Sequence, residues 1–233
     1  MILETMTREE VFKEIEQDEI WLMERGGGLM KKYSKQLRDK RYEHLEILGM
    51  TTYTTPNNNK VHCVIQKYYA DKSNKYAILA LVSLYEYRCG DKLRYVYPIY
   101  HYGVRNKLKD LVIFSEHAVQ RMNERLGKDM FEVFKDICTD QDTCVAFAKY
   151  DYNGRDDEMI GRISDGIAFA CTHEWGVVVS TIISTRQKFD TQIEGEALSL
   201  RNMIEGSKEL ENIHEWFLKN DKIYKEFCFK QRA

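Results

Sequence analysis

Seven runs rich in Tyr, Val, Ile and Leu, each bounded by turn chemistry, constrain the fold of this chain more than any other feature. They cover 61–69, 76–88, 93–102, 144–151, 158–163, 165–173 and 176–184. β-Branched and aromatic side chains fit a pleated, half-buried surface. Segments 71–74, 89–91, 152–157, 164–166 and 173–176, rich in Asp, Asn, Ser and Gly, supply the turns between the runs. The first three runs predict a meander and the last four a second antiparallel array. Alternation within 93–102 sets Tyr95, Tyr97, Ile99 and His101 on one face and Arg94, Val96, Tyr100 and Tyr102 on the other. Pro98, which lacks a backbone donor, favours an edge position. Tyrosines interleaved with basic residues suit base stacking, but on a half-buried sheet they more often serve packing.

The helices announce themselves by caps. Thr7 followed by Glu10 is a capping box ahead of Val11, Phe12, Ile15, Ile20 and Leu22, predicting a helix to about Arg25. It carries three basic residues against seven acidic ones between 7 and 25. Gly26, Gly27 and Gly28 then predict a break, with a second, basic helix over 29–48. The triple glycine follows a helix and lacks a Gly-Lys-Ser/Thr ending, so it is not a phosphate loop. An acidic helix beside a basic one makes a self-neutralising hairpin; the other reading is a basic arm resting on nucleic acid. Residues 54–59 form a loop by composition.

Between the two strand blocks lies the segment densest in chemistry. Ser115 is a good N-cap, Glu116 sits where the helix dipole favours an anion, and Gly127 can take the left-handed position that ends a helix. Ala118, Met122 and Leu126 form the buried stripe of this three-turn helix. His117, Arg121 and Arg125 recur at the same interval about 100° round the axis. One titratable imidazole and two fixed cations on one face suit an anionic substrate such as a phosphodiester. Surface ion pairs with Glu116, Glu124 and Asp129 are the plainer reading of the same arginines. Asp129 caps a further helix carrying Met130, Phe131, Val133, Phe134 and Ile137.

At 233 residues, 43% hydrophobic and 12% aromatic, the chain is a folded globular protein of one large domain or two small ones. A net charge of −2 leaves no global positive field, so any nucleic-acid contact comes from a local patch. Six scattered cysteines, at 63, 89, 138, 144, 171 and 228, read as buried thiols, because no Cys-x-x-Cys spacing occurs. Pairing of Cys63 with His62, or Cys171 with His173, does not build a tetrahedral metal set, and no metal or cofactor is expected. No run approaches the length that spans a bilayer and no signal peptide is seen, so a cytoplasmic, reducing compartment is expected, with no membrane partner.

The run His117-Ala118-x-x-Arg121-Met122-x-Glu124-Arg125 is followed by a second helix and then by strands ending in Val177-Val178-Val179-Ser180-Thr181-Ile182-Ile183-Ser184. This order resembles small bacterial domains of the BrnT-like branch of the RelE/ParE toxin superfamily, over roughly 111–186. The resemblance implies an α+β fold and a metal-independent ribonuclease. Its basic and polar side chains would project from a small antiparallel sheet and its first helix.

Such an enzyme activates a 2′-hydroxyl, stabilises a phosphorane and protonates the 5′-oxygen. The residues expected to do this are His117 as base or acid, Arg121 and Arg125 on the phosphate, and His173 as second proton carrier, with Ser180 completing the site. Lys149, Arg162 and Ser184 would contact the nucleic acid. Glu158, with Asp156 and Asp157, reads as a solvated turn. The expected organisation is α+β: an N-terminal helical hairpin plus meander over 1–110, a toxin-like core over 111–186, and amphipathic C-terminal helices over 187–233 packing on that core. RNA and a protein inhibitor are the expected partners. The alternative is a non-catalytic protein-interaction module of phage or mobile-element type on the same fold.

Overall fold

A computed structural model describes residues 1–33, 46–68, 78–100, 108–139, 146–149, 157–163 and 166–184. Among these residues the protein is α+β, with three helices and nine strands. By internal contacts the chain divides into two units. The first holds Met1–Glu116 with His173–Val177, and the second holds His117–Thr172 with Val178–Ala233. The division cuts through the 111–186 segment expected as a core, because 111–116 and the 173–177 turn belong with the N-terminal unit. The expected C-terminal helices over 187–233, and the turn at 71–74, lie outside the described residues.

In the first unit, helix α1 spans Arg8–Tyr33. Its expected cap is present: the Thr7 N–H donates to Glu10 Oε2 at 2.8 Å, and the Glu10 N–H reaches back to Thr7 Oγ1 at 3.4 Å. The predicted break at Gly26–Gly28 does not occur, since α1 runs through all three. Glycine raises the cost of a helix by about 0.5–1 kcal/mol per residue without blocking its hydrogen bonds, whereas proline would block them. Of the expected helix over 29–48, only the two ends are among the described residues. Its first residues end α1 and its last begin strand β1 (Glu46–Thr54), while 34–45 lie outside the described residues.

Strands β2 (Lys60–Tyr68), β3 (Ile78–Cys89), β4 (Lys92–Tyr100) and β5 (Leu108–Phe114) follow β1 in an antiparallel meander whose spatial order is its chain order. The expected three-stranded meander thus has five strands. β1 overlaps the expected helix only at 46–48 and otherwise covers residues with no expected strand, and β5 is a run too short to stand out. The 54–59 segment is the β1–β2 hairpin loop, closed by the Asn58 N–H on Thr55 O at 2.8 Å and the Thr55 N–H on Asn59 O at 2.9 Å. Asn58 adopts φ 60°, a left-handed conformation that asparagine tolerates. Pro98 lies on β4, which is flanked by β3 and β5 and is no edge strand. Its register with β3 runs only from Cys89↔Lys92 to Tyr85↔Val96, so Pro98 lies beyond that ladder and pairs with Leu111 of β5 alone.

α1 lays Val11, Ile15 and Leu22, all fully buried, over the sheet face that carries Val61, Cys63, Tyr85 and Val96. Each such side chain contributes about 1.5–3 kcal/mol by leaving water. The 173–177 turn completes this unit. Trp175 is 1% exposed, donates its Nε1–H to Met6 O at 2.8 Å, and stacks near Tyr87 with centroids 5.8 Å apart.

In the second unit, α2 covers Glu116–Leu126 and α3 covers Met130–Thr139. Gly127 follows α2 at φ 66° with its N–H on Asn123 O at 3.0 Å, which is the expected helix stop. Asp129 and Glu132 cap α3 reciprocally at 2.8 and 2.9 Å. Strands β6 (Ala146–Lys149), β7 (Glu158–Ile163), β8 (Gly166–His173) and β9 (Gly176–Ser184) match the four expected runs and lie in the order β9-β8-β7-β6. Ile160, Ile167 and Phe169 form one buried cluster with Ile183 against it. Glu158 is a correction: expected in a solvated turn, it opens β7 and is 5% exposed.

Candidate functional site

α2 displays the residues singled out by spacing. Ala118 and Met122 are buried, which turns His117 outward and leaves Arg121 and Arg125 half-buried beside it. The four-residue interval is realised as contact: Arg121 Nε donates to His117 Nε2 at 3.4 Å. The contact sets one imidazole and one guanidinium side by side on α2.

The two guanidiniums are committed elsewhere. Arg121 Nη1 pairs with the Glu124 carboxylate one turn on, and Glu124 also accepts from Gln120 Nε2 at 2.8 Å. These hydrogen bonds, Arg121 first and then Gln120, hold the Glu124 carboxyl below its ordinary range. Arg125 Nη1 donates to the Ile182 carbonyl at 2.8 Å and so braces α2 against β9.

The remaining expected residues fall in different surroundings. Ser180 is exposed, and its hydroxyl donates to Phe169 O at 2.9 Å. Ser184 is half-buried at the end of β9, and Lys149 is exposed on β6. The Arg162 backbone pairs with Ala146 and Ile167. His173 belongs to the first unit, where its Nδ1 accepts the Trp175 N–H at 3.1 Å and its ring meets the indole edge-on at 5.4 Å. Burial, and then the charge of Arg94, hold its pKa below the ordinary histidine value. It is a turn-closing acceptor.

The first unit holds a polar constellation that charge patterning does not reveal. On the acidic helix α1, Asp18 and Glu19 are only 1% and 6% exposed. Asp18 accepts from Asn57 Nδ2 at 2.9 Å and Asn59 Nδ2 at 2.6 Å. Asn59 also donates to Glu14 at 2.7 Å and accepts the Ile2 N–H at 2.7 Å, tying the hairpin loop to α1. Glu19 accepts from Ser83 Oγ and from Tyr85 OH, the latter at 3.2 Å.

Burial raises the Asp18 pKa against the pull of Asn59, Thr55 and Asn57. A carboxyl with a raised native value binds its proton more tightly folded than unfolded. It therefore stabilises the fold fully below about pH 4, and that contribution is lost as pH rises through the native value. Asp18→Asn removes this dependence. The stability of the variant relative to wild type should improve steadily from pH 4 to pH 7 in urea titrations. A gap that does not move with pH would show that Asp18 is not the titrating group.

Cys63 and Cys138 are buried, as expected of structural thiols; burial raises the Cys63 pKa and pushes Cys138 to about 12. Cys89 and Cys171 are half-buried, and positions 144 and 228 lie outside the described residues. Among the described residues, no three His, Cys, Asp or Glu side chains gather as a metal set. No described helix is long and apolar enough to cross a membrane. Comparison of the chain with models of protein families, with curated proteins and with solved structures finds no match.

Proposed function

We propose that the α2 face serves binding and not cleavage, in an interaction protein that keeps the helix-and-strand layout without a ribonuclease centre there. The observation that carries this reading is the fate of the arginines. A phosphate clamp needs free guanidinium forks, whereas Arg121 is shared with Glu124 and Arg125 is spent on the Ile182 carbonyl. What α2 offers to a partner is a polar row of Glu116, His117, Gln120, Asn123 and Glu124, all exposed.

The second reading is the metal-independent ribonuclease. It draws support from the exposed His117 beside Arg121 at 3.4 Å. That pair supplies one proton carrier and one shared cation, where the reaction asks for two carriers and a clamp.

One assay separates the two. Mixed RNA incubated in EDTA with wild-type protein should stay intact, and RNA should not be retained in a salt-dependent manner. Cleavage by wild type that disappears in folded His117→Ala and Arg121→Ala variants would reinstate the ribonuclease. Arg125→Ala should instead act on stability. Removing a half-buried charged donor from the Ile182 carbonyl costs about 1.5–3 kcal/mol, read as a shift in the urea midpoint.

A further inference from the structure

Pairing of β1, β2 and β3 gathers a row of side chains that are distant in sequence. Thr52 lies opposite His62, and Lys60 lies opposite Glu86. Cys63 and Val61 pair with Ser83 and Tyr85, the residues that meet Glu19 of α1. His62 alternates with them, so Thr52, Lys60, His62 and Glu86 share the face turned away from α1.

On that face both ring nitrogens of His62 are engaged. Thr52 Oγ1 is 3.0 Å from Nδ1, and Glu86 Oε2 is 3.0 Å from Nε2. Lys60 Nζ stands 2.9 Å from the same carboxylate oxygen. The imidazole is walled in, with 6% of its side chain exposed and the Tyr95 ring centroid 6.5 Å away, whereas Thr52 is open to solvent. Burial opposes ionisation of Glu86, but the hydrogen bonds and charges of Lys60 and His62 outweigh it, keeping the carboxyl below its ordinary range.

An ionised carboxylate accepts only, so Nε2 carries the proton. In the neutral ring, which holds a single proton, Nδ1 is then the acceptor of the Thr52 hydroxyl. That is the polarity of a nucleophile, a base and a group orienting the base.

We propose that Thr52, His62 and Glu86 form an acyl-transfer relay acting on small, activated carboxylic esters. Thr52 Oγ attacks the ester carbonyl carbon while its proton passes to His62 Nδ1. The tetrahedral adduct expels the alkoxide or phenoxide, which takes that proton and leaves an acyl-threonine. Water, deprotonated by the same Nδ1, attacks the acyl carbon, releases the carboxylic acid and restores the hydroxyl. Ester and water give acid and alcohol, with no oxidant or reductant. Glu86 touches no substrate; it is a positioning residue that fixes the tautomer of His62. The relay lies wholly in the first unit and stands independently of the reading of α2.

A cross-strand polar row also stabilises a sheet, by about 0.2–1 kcal/mol per pair, so the test must read chemistry. The full chain is incubated with p-nitrophenyl acetate, with phenolate release followed by absorbance and the acetyl group located by mass spectrometry. Expected are an acetyl adduct on Thr52, its loss in Thr52→Val and its retention in Thr52→Ser. His62→Ala should slow acylation about 100-fold or more, and added imidazole should restore part of that rate. Glu86→Gln should slow acylation without weakening ester binding. An adduct confined to lysines, an unchanged rate in Thr52→Val, or no acylation by wild type overturns the proposal. Because the wild-type adduct needs no variant, misfolding of a variant cannot rescue or sink it.

Discussion

Trp175→Ala is expected to cost about 3–5 kcal/mol of unfolding free energy, the range for a fully buried large aromatic truncated to alanine. The indole is 1% exposed, its Nε1–H is bonded to Met6 O, and it lies between the Tyr87 and His173 rings. Truncation removes the packing and leaves the Met6 carbonyl without its donor. Urea unfolding followed by circular dichroism measures the effect. A loss below about 1 kcal/mol would mean that the 173–177 turn is not an anchor of the first unit. Trp175→Phe should recover most of the packing and none of the hydrogen bond, giving an intermediate value.

Gly176→Ala should be damaging for a different reason. Gly176 has φ 151°, a region that L-residues rarely enter. A Cβ there would lie 2.2 Å from the Leu111 carbonyl oxygen, 2.4 Å from Asp110 Oδ1 and 2.8 Å from the Leu111 nitrogen. Two of those atoms are backbone of β5, held by its pairing with β4 through Leu111↔Pro98 and Asp110↔Ile99, so they cannot retreat cheaply. Backbone strain and overpacking each contribute about 1–3 kcal/mol, so the total is about 2–6 kcal/mol. Gly127→Ala is the control. Its φ of 66° carries strain, but no atom lies within 4 Å of the added methyl, so about 1–2 kcal/mol is expected. Equal losses at the two positions would show that the close approach of β5 is not what selects glycine at 176. Trp175 and Gly176 share one turn, so their effects should couple and not simply add.

Local chemistry was legible in advance wherever it is set by neighbours in sequence. Thr7 with Glu10, Asp129 with Glu132, and Gly127 behave as their types and spacing demand, because caps and left-handed stops involve only a few consecutive residues. The β9 run from Gly176 to Ser184 was bounded by a turn and by β-branched composition, and its limits agree with the strand. The triple glycine was misleading, since a helix-weakening residue raises a cost that the rest of α1 carries. β1 had no separate reading because its first residues closed a basic, helix-like stretch and its last was counted in the 54–59 loop; pairing with β2 makes it a strand.

For the candidate sites, the i, i+4 spacing of His117 and Arg121 was sufficient to bring them into contact, because one helix places both. That same spacing could not say that Arg125 would reach Ile182, 57 residues away, or that His173 would close a turn beside Trp175 in the first unit. Nor could alternation alone show which charges turn inward. Asp18 and Glu19 look like their solvated neighbours until the asparagines of the hairpin loop and the hydroxyls of β3 arrive to hydrogen-bond them. Propensity, capping and turn chemistry act over a few residues, which is why the α+β class, the capped helices and most strands could be read along the chain. Which polar groups meet depends on assembly: strand register sets Thr52, His62 and Glu86 in one row, and the packing of α1 buries two carboxylates. The physical reason is that a hydrogen bond between distant residues depends on separations near 3 Å, which only the assembled sheet and its helix fix.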